Sequence, residues 1–285
     1  MNEPEYEYSY EEVYKRTVED FFDRRTSYDN DSTVARAMPL LDMVALRAGQ
    51  RVLDVATGTG IVAIEAARRV EPTGNVIGTD FSSGMLRQAK EKSKARNLNN
   101  IEWVEADADY LDYEAESFDV IFCSSALVYF QDILRSLQNW HRWLKTNGTA
   151  VFSGWSEQSY PAPWIIEACA LHGVELHNIN APTGTREKCV DIMQSAGFSE
   201  VVVKERQLGS YKPAEALSEW DGSWFHPHKN PLINASVEKL QLIVATYRER
   251  IALEATEEGV WCESLAYYVS GKKQDQPVSK SSSGK

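Results

Sequence analysis

Three aspartates end apolar runs in the first half of the chain, each beside small residues: Asp54 before Ala56-Thr57-Gly58-Thr59-Gly60, Asp80 after Asn75 to Thr79, and Asp107-Ala108 after Ile101 to Glu105. A glycine turn that opens a helix brings backbone N–H groups and a helix N-terminus against a ligand, because no Cβ blocks the approach. Asp54, just before the turn, is placed to bind or orient a ligand ammonium. Asp80, about twenty residues past Gly60, stands where a ribose presents its hydroxyls. Asp107 can accept from an adenine amino group, beside a backbone N–H for a ring nitrogen. The set describes a nucleoside site. Gly58-Thr59-Gly60-Ile61-Val62-Ala63 also satisfies the dinucleotide fingerprint G-x-G-x-x-A. A pyrophosphate at that turn would gain nothing from the Asp54 carboxylate.

The elements that must hold these residues follow from hydrophobic period. Short β-rich runs at Arg51 to Val55, Asn75 to Thr79, Ile101 to Glu105, Phe118 to Cys123 and Thr149 to Ser153 alternate with helical stretches at Gly60 to Val70, Ser82 to Arg96 and Gln131 to Leu144. Such alternation predicts an α/β fold: a doubly wound, mostly parallel sheet with helices on both faces and a ligand crevice at the strand ends. After Trp155 the pattern lapses for about thirty residues. It resumes as a helix, Arg186 to Ala196, stopped by Gly197, and a strand at Val201 to Val203.

This reading divides the chain into parts. Residues 1–47 form an N-terminal section, with a mobile Tyr/Glu-alternating arm to about residue 15 and two or three helices between Glu11 and Arg47. Residues 48–206 form the core, with an insertion at 155–182. Residues 207–259 form a helical cap insertion, carrying Val237, Leu240, Val244, Tyr247 and Ile251 at helical spacing. Residues 260–270 supply the last core strand, around Ser264 to Val269. The polar tail, 271–285, reads as disordered.

Thirty Lys+Arg against forty-two Asp+Glu give a net charge of −12, which repels phosphate backbones and excludes nucleic acid as a partner. Cys123, Cys169, Cys189 and Cys262 are too scattered for a CxxC pair or a zinc site, and fit free thiols in a reducing compartment. No apolar run approaches the ~18 residues of a membrane span, and the start of the chain is acidic where a signal peptide is basic and then apolar. The expected location is cytoplasmic, as monomer or homodimer. His226 and His228 flank a proline without nearby Cys or carboxylate ligands, so no metal is expected.

From about Thr26 to Val203 the motifs resemble the class I S-adenosylmethionine-dependent methyltransferases, most nearly the ubiquinone/menaquinone-biosynthesis group and its small-molecule relatives. Besides the three aspartate motifs, the matches are Ser117 to Ile121 leading into Cys123-Ser124-Ser125-Ala126-Leu127, Leu144 to Gly148 before the fifth strand, and Ala196-Gly197-Phe198 before the sixth. The resemblance implies a Rossmann-like seven-stranded sheet with N-terminal helices; its final strands normally form a hairpin, whereas this chain inserts about fifty residues, the helical cap, between them. It implies S-adenosylmethionine as cofactor and S-adenosylhomocysteine as product. Ala56, Thr57, Gly58 and Gly60 would hold the methionine moiety with Asp54 and Ser124, Asp80 the ribose, and Phe81 and Met85 the adenine faces. Asp107 and Ala108 would read the adenine edge, and Tyr28 would lie over the cofactor as a lid. Ala56 replaces the common first glycine, and Val128 to Asp132 lacks the histidine that many relatives carry there.

The expected activity is methyl transfer to O, N or C of a small aromatic or apolar acceptor. Tyr129 and His226 are the candidates for proton handling. Tyr129, Trp155, Trp224 and His226 are the candidate acceptor pocket, with Tyr28 and Trp224 meeting across it and the two insertions capping it. A nicotinamide-dependent oxidoreductase and a non-catalytic nucleoside-binding regulatory module are the alternatives.

Overall fold

The computed structural model describes residues 8–274. Two helices come first: α1 (Tyr10–Asp23) and α2 (Asp31–Leu41). The alternating core follows as β1 (Arg51–Val55), α3 (Ile61–Val70), β2 (Asn75–Asp80), α4 (Ser83–Ala95), β3 (Ile101–Glu105), β4 (Phe118–Ser124), α5 (Ile133–Trp143) and β5 (Leu144–Trp155). Then come α6 (Ala162–Leu171), α7 (Arg186–Ser195), β6 (Ser199–Gln207), β7 (Ser210–Lys212), α8 (Ala214–Leu217), α9 (Val237–Glu254), β8 (Val260–Cys262) and β9 (Leu265–Lys272).

The main sheet has the order β3-β2-β1-β4-β5-β9-β6. It is parallel except for β9, which runs antiparallel to both β5 and β6. Alternation along the strands sorts side chains to two faces. Val52, Val76, Val120, Phe122 and Val151 pack with α2 and α3, whereas Leu53, Val55, Ile121, Cys123 and Phe152 pack with α5 and α7. Burial on both faces is what a parallel sheet requires. Strand order reverses between β1 and β4, and the crevice opens there, at the carboxyl ends.

Four expectations are corrected. The Tyr/Glu arm is not an arm through residue 15: Ser9 and Glu12 form a reciprocal capping box that starts α1 at Tyr10, and Tyr14 is buried. The stretch after Trp155 contains α6. Val260–Cys262 does not open the last core strand but pairs with β7 in a separate two-stranded clip, and β9 alone completes the sheet. Gly271 and Lys272 are ordered in β9 opposite Ala150 and Thr149, and Lys273 N donates to the Gly148 carbonyl at 2.9 Å. The remainder of the expected tail, 275–285, and residues 1–7 lie outside the described residues.

The two insertions share one core. Ile165, Cys169 and Val174 from the first pack with Leu217, Leu232, Ile243, Tyr247 and Ile251 from the second, and Tyr160 and Tyr247 join their hydroxyls at 2.5 Å.

Candidate active site

The turn after β1 is built by backbone conformations that its sequence permits at some cost. Ala56, Gly58 and Gly60 all have positive φ (52°, 56° and 79°). Gly60 is needed for space as well, since a Cβ there would lie 2.5 Å from the Trp103 ring. A Cβ on Gly58 would meet nothing within 4 Å, because that position faces open cleft.

Two buried aspartates brace the turn. Asp54 Oδ2 accepts from Thr57 Oγ1 at 2.5 Å and Ala63 N at 3.1 Å, while Oδ1 has no hydrogen-bond partner. Burial pushes its carboxyl up to about 7 despite those bonds. Asp80 accepts from Gly58 N at 2.7 Å and Ser82 N at 2.9 Å, and burial raises it to about 6. An uncompensated carboxylate at this depth favours a ligand that brings hydroxyl donors or positive charge.

The cleft has two chambers that share Phe22, Tyr28, Ala56, Gly58, Ser124, Ser125 and Tyr129. The first spans about 740 Å³ when the open solvent at its mouth is included. It is lined by Asp80, Phe81, Met85, Asp107 and Ala108 from the strand ends, and by Tyr14, Lys15 and Val18 from α1. Thr57 and Trp155 line the second chamber, with Phe21, Arg25, Thr33 and Arg36.

The expected residues are thus largely brought together, with exceptions. Asp54 and Gly60 lie beneath the turn and shape it without lining either chamber. Trp224 does not meet Tyr28: it packs against the shared core of the insertions, and Tyr28 meets Phe22 edge-on at 6.3 Å. His226 lies outside both chambers, in a small cavity with Phe130, Gln131 and Pro182. Its ring stands 5.8 Å from those of both His177 and His228, and burial, with the two neighbouring imidazoles, lowers it to about 4. The backbone explains both departures, because residues 224–228 reach over to hold α1: Phe225 packs on Phe21 at 5.3 Å, and the His226 carbonyl accepts from Tyr10 Oη at 2.7 Å.

Helix α1 is the part of the site that sequence reasoning missed. Lys15 Nζ lies 2.9 Å from Asp107 Oδ1 and also pairs with Asp109. Tyr14 Oη donates to the Tyr129 carbonyl at 3.3 Å. At the far end, Asp23 Oδ1 accepts from Ser82 Oγ at 2.5 Å and Gly84 N at 3.0 Å, capping α4. The following loop is tied down through Asp29, which accepts from Thr59 Oγ1 and Lys92 Nζ. Tyr14, Val18 and Phe22 at i, i+4 and i+8 were the legible signal, an apolar stripe behind the capping box.

A doubly wound sheet with an antiparallel β9 next to the edge strand, and a crevice at its switch point, define a Rossmann-like methyltransferase fold. Two solved structures share it. The YcgJ protein of Bacillus subtilis has 15% identity and a TM-score of 0.58, covering 87% of this chain and 100% of that one. Phosphoethanolamine N-methyltransferase 2 of Haemonchus contortus, solved with S-adenosylhomocysteine, has 18% identity and a TM-score of 0.53, covering 86% and 53%. Residues 52–148 match the family model described as a methyltransferase domain. The 2-phytyl-1,4-naphtoquinone methyltransferase of Nostoc punctiforme is 39% identical over 118 residues, 41% of this chain and 51% of that one, so the chain spans about half the length of the curated relatives it matches. The chain is thus similar over this stretch to methyltransferase domains, and in part to the demethylmenaquinone methyltransferase of Oceanobacillus iheyensis, 39% identical over 106 residues. Among the described residues, no helix is long and apolar enough to cross a membrane.

Proposed function

We propose that the chain is an enzyme that transfers the methyl group of S-adenosylmethionine to O, N or C of a small aromatic or apolar metabolite and releases S-adenosylhomocysteine. The observation that carries this reading is the gathering of Asp80, Phe81, Met85, Asp107 and Ala108 around the Ala56 to Gly58 turn in one chamber. In this reading Asp80 accepts from the ribose hydroxyls, and Phe81 and Met85 flank the adenine. Asp107 gives Oδ1 to Lys15 and to Asp109 N, leaving Oδ2 for the adenine amino group. The unpartnered Asp54 Oδ1 supports a negative potential under the turn that favours a cationic amino-acid end above it.

The bound sulfonium supplies a methyl group that is already activated, so the protein's task is alignment, for which fixed geometry contributes up to ~7 to 11 kcal/mol. Tyr129 lines both chambers and orients the acceptor. Burial raises the Tyr129 phenol, which therefore stays protonated at neutral pH and donates a hydrogen bond without acting as a base. No histidine lines either chamber among the described residues. The insertions act on the cleft through α1, which residues 224–228 hold in place. All four cysteines are buried and unpaired, which supports a cytoplasmic location.

The test is calorimetric and chemical. S-adenosylhomocysteine should bind and NAD(H) should not, and labelled methyl should leave the cofactor for a product in a metabolite panel. Asp80→Ala should cost about 1.5 to 3 kcal/mol of that binding, the value of hydrogen bonds to a charged group. Tighter binding of NAD(H) would favour the oxidoreductase reading, and cofactor binding without any methylated product would favour a regulatory module.

A further inference from the structure

Residues 224–230, between α8 and α9, form a strap that touches α1 at both ends and the loop after β4. Phe225 packs on Phe21, in the last turn of α1, at 5.3 Å, and the His226 carbonyl accepts from Tyr10 Oη, in its first turn, at 2.7 Å. The Pro227 carbonyl accepts from Gln131 Nε2 at 3.2 Å. Gln131 N in turn donates to both oxygens of Asp109, at 3.1 and 3.2 Å, and Asp109 holds Lys15 beside Asp107. The strap thus secures, directly and through Gln131, the helix whose Tyr14, Lys15, Val18 and Phe22 line the first chamber. No residue of α1 belongs to either core that covers the sheet, so α1 can lift while the sheet stays folded.

His226 sits at the centre of the strap with 8% exposure, in the cavity walled by Val128, Phe130, Ile133, Ile179 and Pro182. Its Nδ1 accepts from His228 N at 3.2 Å, a bond that needs the lone pair on that nitrogen and so the neutral ring. A proton on Nδ1 sets donor against donor and places a charge among apolar walls, where an ion is costly. The ionisable groups around it are few. His177 of the first insertion and His228 of the strap each stand 5.8 Å away, ring to ring, and both oppose a second cation. Tyr10 of α1 gives its hydroxyl to the His226 carbonyl. Asp132, at the start of α5, is the one acid in the cavity lining among the described residues, and its Oδ1 accepts from Arg135 N at 2.9 Å. Its attraction does not offset the rest, since burial and the two imidazoles lower His226 to about 4.

We propose that His226 is the sensor of a proton-operated clamp: neutral, it keeps residues 225–227 against α1 and the first chamber closed, and protonated, it releases them and lets the chamber open. The clamp acts on the chamber that the methyltransferase reading assigns to the cofactor, and it rests on that reading for the identity of the ligand retained. Its sign follows from linkage. In the released strap the imidazole regains water and its ordinary value near 6.5, so the open form binds the proton more tightly and gains as pH falls below that value. Between about 6.5 and the clamped value near 4, the ratio of clamped to open molecules falls by up to about tenfold per pH unit. Acidification therefore speeds the exchange of cofactor without unfolding the sheet.

The test is hydrogen exchange of the full chain, read by mass spectrometry from about pH 7.5 to 4.5 and corrected for the intrinsic rate, so that protection reports the open population. Peptides of α1 are compared with peptides of β4 and β5. In the parent, α1 protection should fall by about 10- to 30-fold between about pH 6.5 and 5, and β4 and β5 should not follow. His226→Gln, which offers an oxygen to the His228 N–H and takes no proton, should keep α1 protected across the range. His177→Gln, at an exposed position, leaves His226 easier to protonate in the clamped state, so the fall should shrink; this variant serves if His226→Gln does not fold. Phe225→Ala, which loosens the strap without touching a histidine, should expose α1 at every pH. Release of S-adenosylhomocysteine, followed by stopped flow, should quicken with acid more in the parent than in His226→Gln. Asp80, whose titration also reaches the ligand, is common to both proteins and cancels in that comparison.

The proposal is overturned if α1 protection follows the same pH profile in the parent and in His226→Gln, or if His177→Gln leaves the parent's profile unchanged. It is also overturned if α1 and the strand peptides lose protection together, because the histidine would then stabilise the whole fold without operating α1. Failure of S-adenosylhomocysteine to bind the parent is a different result: it refutes the methyltransferase reading, while the exchange comparison still decides whether the clamp exists.

Discussion

The two chambers of the cleft are made in different ways. The first is assembled mainly from strand ends and the turns that follow them, so its chemistry sits in short, contiguous runs: Ala56 to Gly58, Asp80-Phe81, Asp107-Ala108. The second takes Phe21 from α1, Arg25 and Tyr28 from the loop after it, Arg36 from α2 and Trp155 from the end of β5. The Ala56 to Gly58 turn borders both; the first adds the acids Asp80 and Asp107, and the second adds Arg25, Arg36 and Trp155. A parallel sheet presents the carboxyl ends of its strands whatever its helices do. Docking of α1 closes both chambers, and the second needs α2 as well.

The largest test of this contrast is Gly58→Val. Gly58 has a φ of 56° and borders both chambers, so a β-branched residue there is strained and projects into open cleft. We expect S-adenosylhomocysteine binding to vanish in calorimetry while the far-ultraviolet dichroism stays native. A variant that titrates like the parent would reduce Gly58 to an ordinary turn residue and remove the backbone argument for the first chamber.

Trp155→Ala tests the other side. Stacking on an aromatic face is worth about 0.5 to 1.5 kcal/mol beyond area burial, so an aromatic acceptor should bind several-fold more weakly while cofactor affinity is unchanged. An equal loss for both ligands would mean that the chambers are not separable.

This difference also explains what could be read in the sequence. The acids, the turn and strand periods as clean as Arg51 to Val55 sit within a few residues of one another, and local order carried them. Lys15 and Arg36 are surface-type residues in amphipathic helices, and nothing in their own segments says that a carboxylate or an indole faces them. The start of α1 was legible, because Ser9 and Glu12 have capping-box spacing, yet the alternation of Tyr with Glu around them masks it. Trp224 and His226 were misplaced for another reason. An aromatic, proline-rich segment reads alike as a pocket wall or as packing, and here its side chains serve the insertion's core and a separate cavity while its backbone holds α1.

The acid buried beneath the turn has a pH consequence of its own. Asp54 is raised from the ordinary carboxylate range to about 7, so between about pH 4 and 7 the folded chain holds a proton that the unfolded chain has released. Its contribution to stability is therefore full below the unfolded value and lost as pH rises through 7, at up to ~1.4 kcal/mol per unit. His226, lowered to about 4, acts in the opposite sense: its contribution is present above the unfolded value near 6.5 and lost as pH falls through 4. Comparison with Asp54→Asn isolates the carboxylate. Between pH 5 and 8 the parent should lose about 2 to 3 kcal/mol relative to the variant in denaturant melts, and parallel profiles would show that Asp54 is ionised throughout.

The smallest expected effect concerns Ala56, where the first chamber's turn departs from the glycine of related sequences. Its φ of 52° is left-handed, which costs an L-residue with a Cβ roughly 1 to 2 kcal/mol. Glycine removes that strain but adds conformational freedom to the unfolded chain, a loss of about 0.5 to 1 kcal/mol. The methyl group is partly buried against the core under the turn, which takes back a further part of the gain. The balance still favours glycine, so Ala56→Gly should raise stability by up to about 1 kcal/mol and the melting temperature by a few degrees at most. Because the backbone already follows the path that glycine prefers, S-adenosylhomocysteine affinity should stay within twofold of the parent. A lower melting temperature would show that the methyl's packing outweighs the strain, and that Ala56 holds the turn in shape where glycine would loosen it.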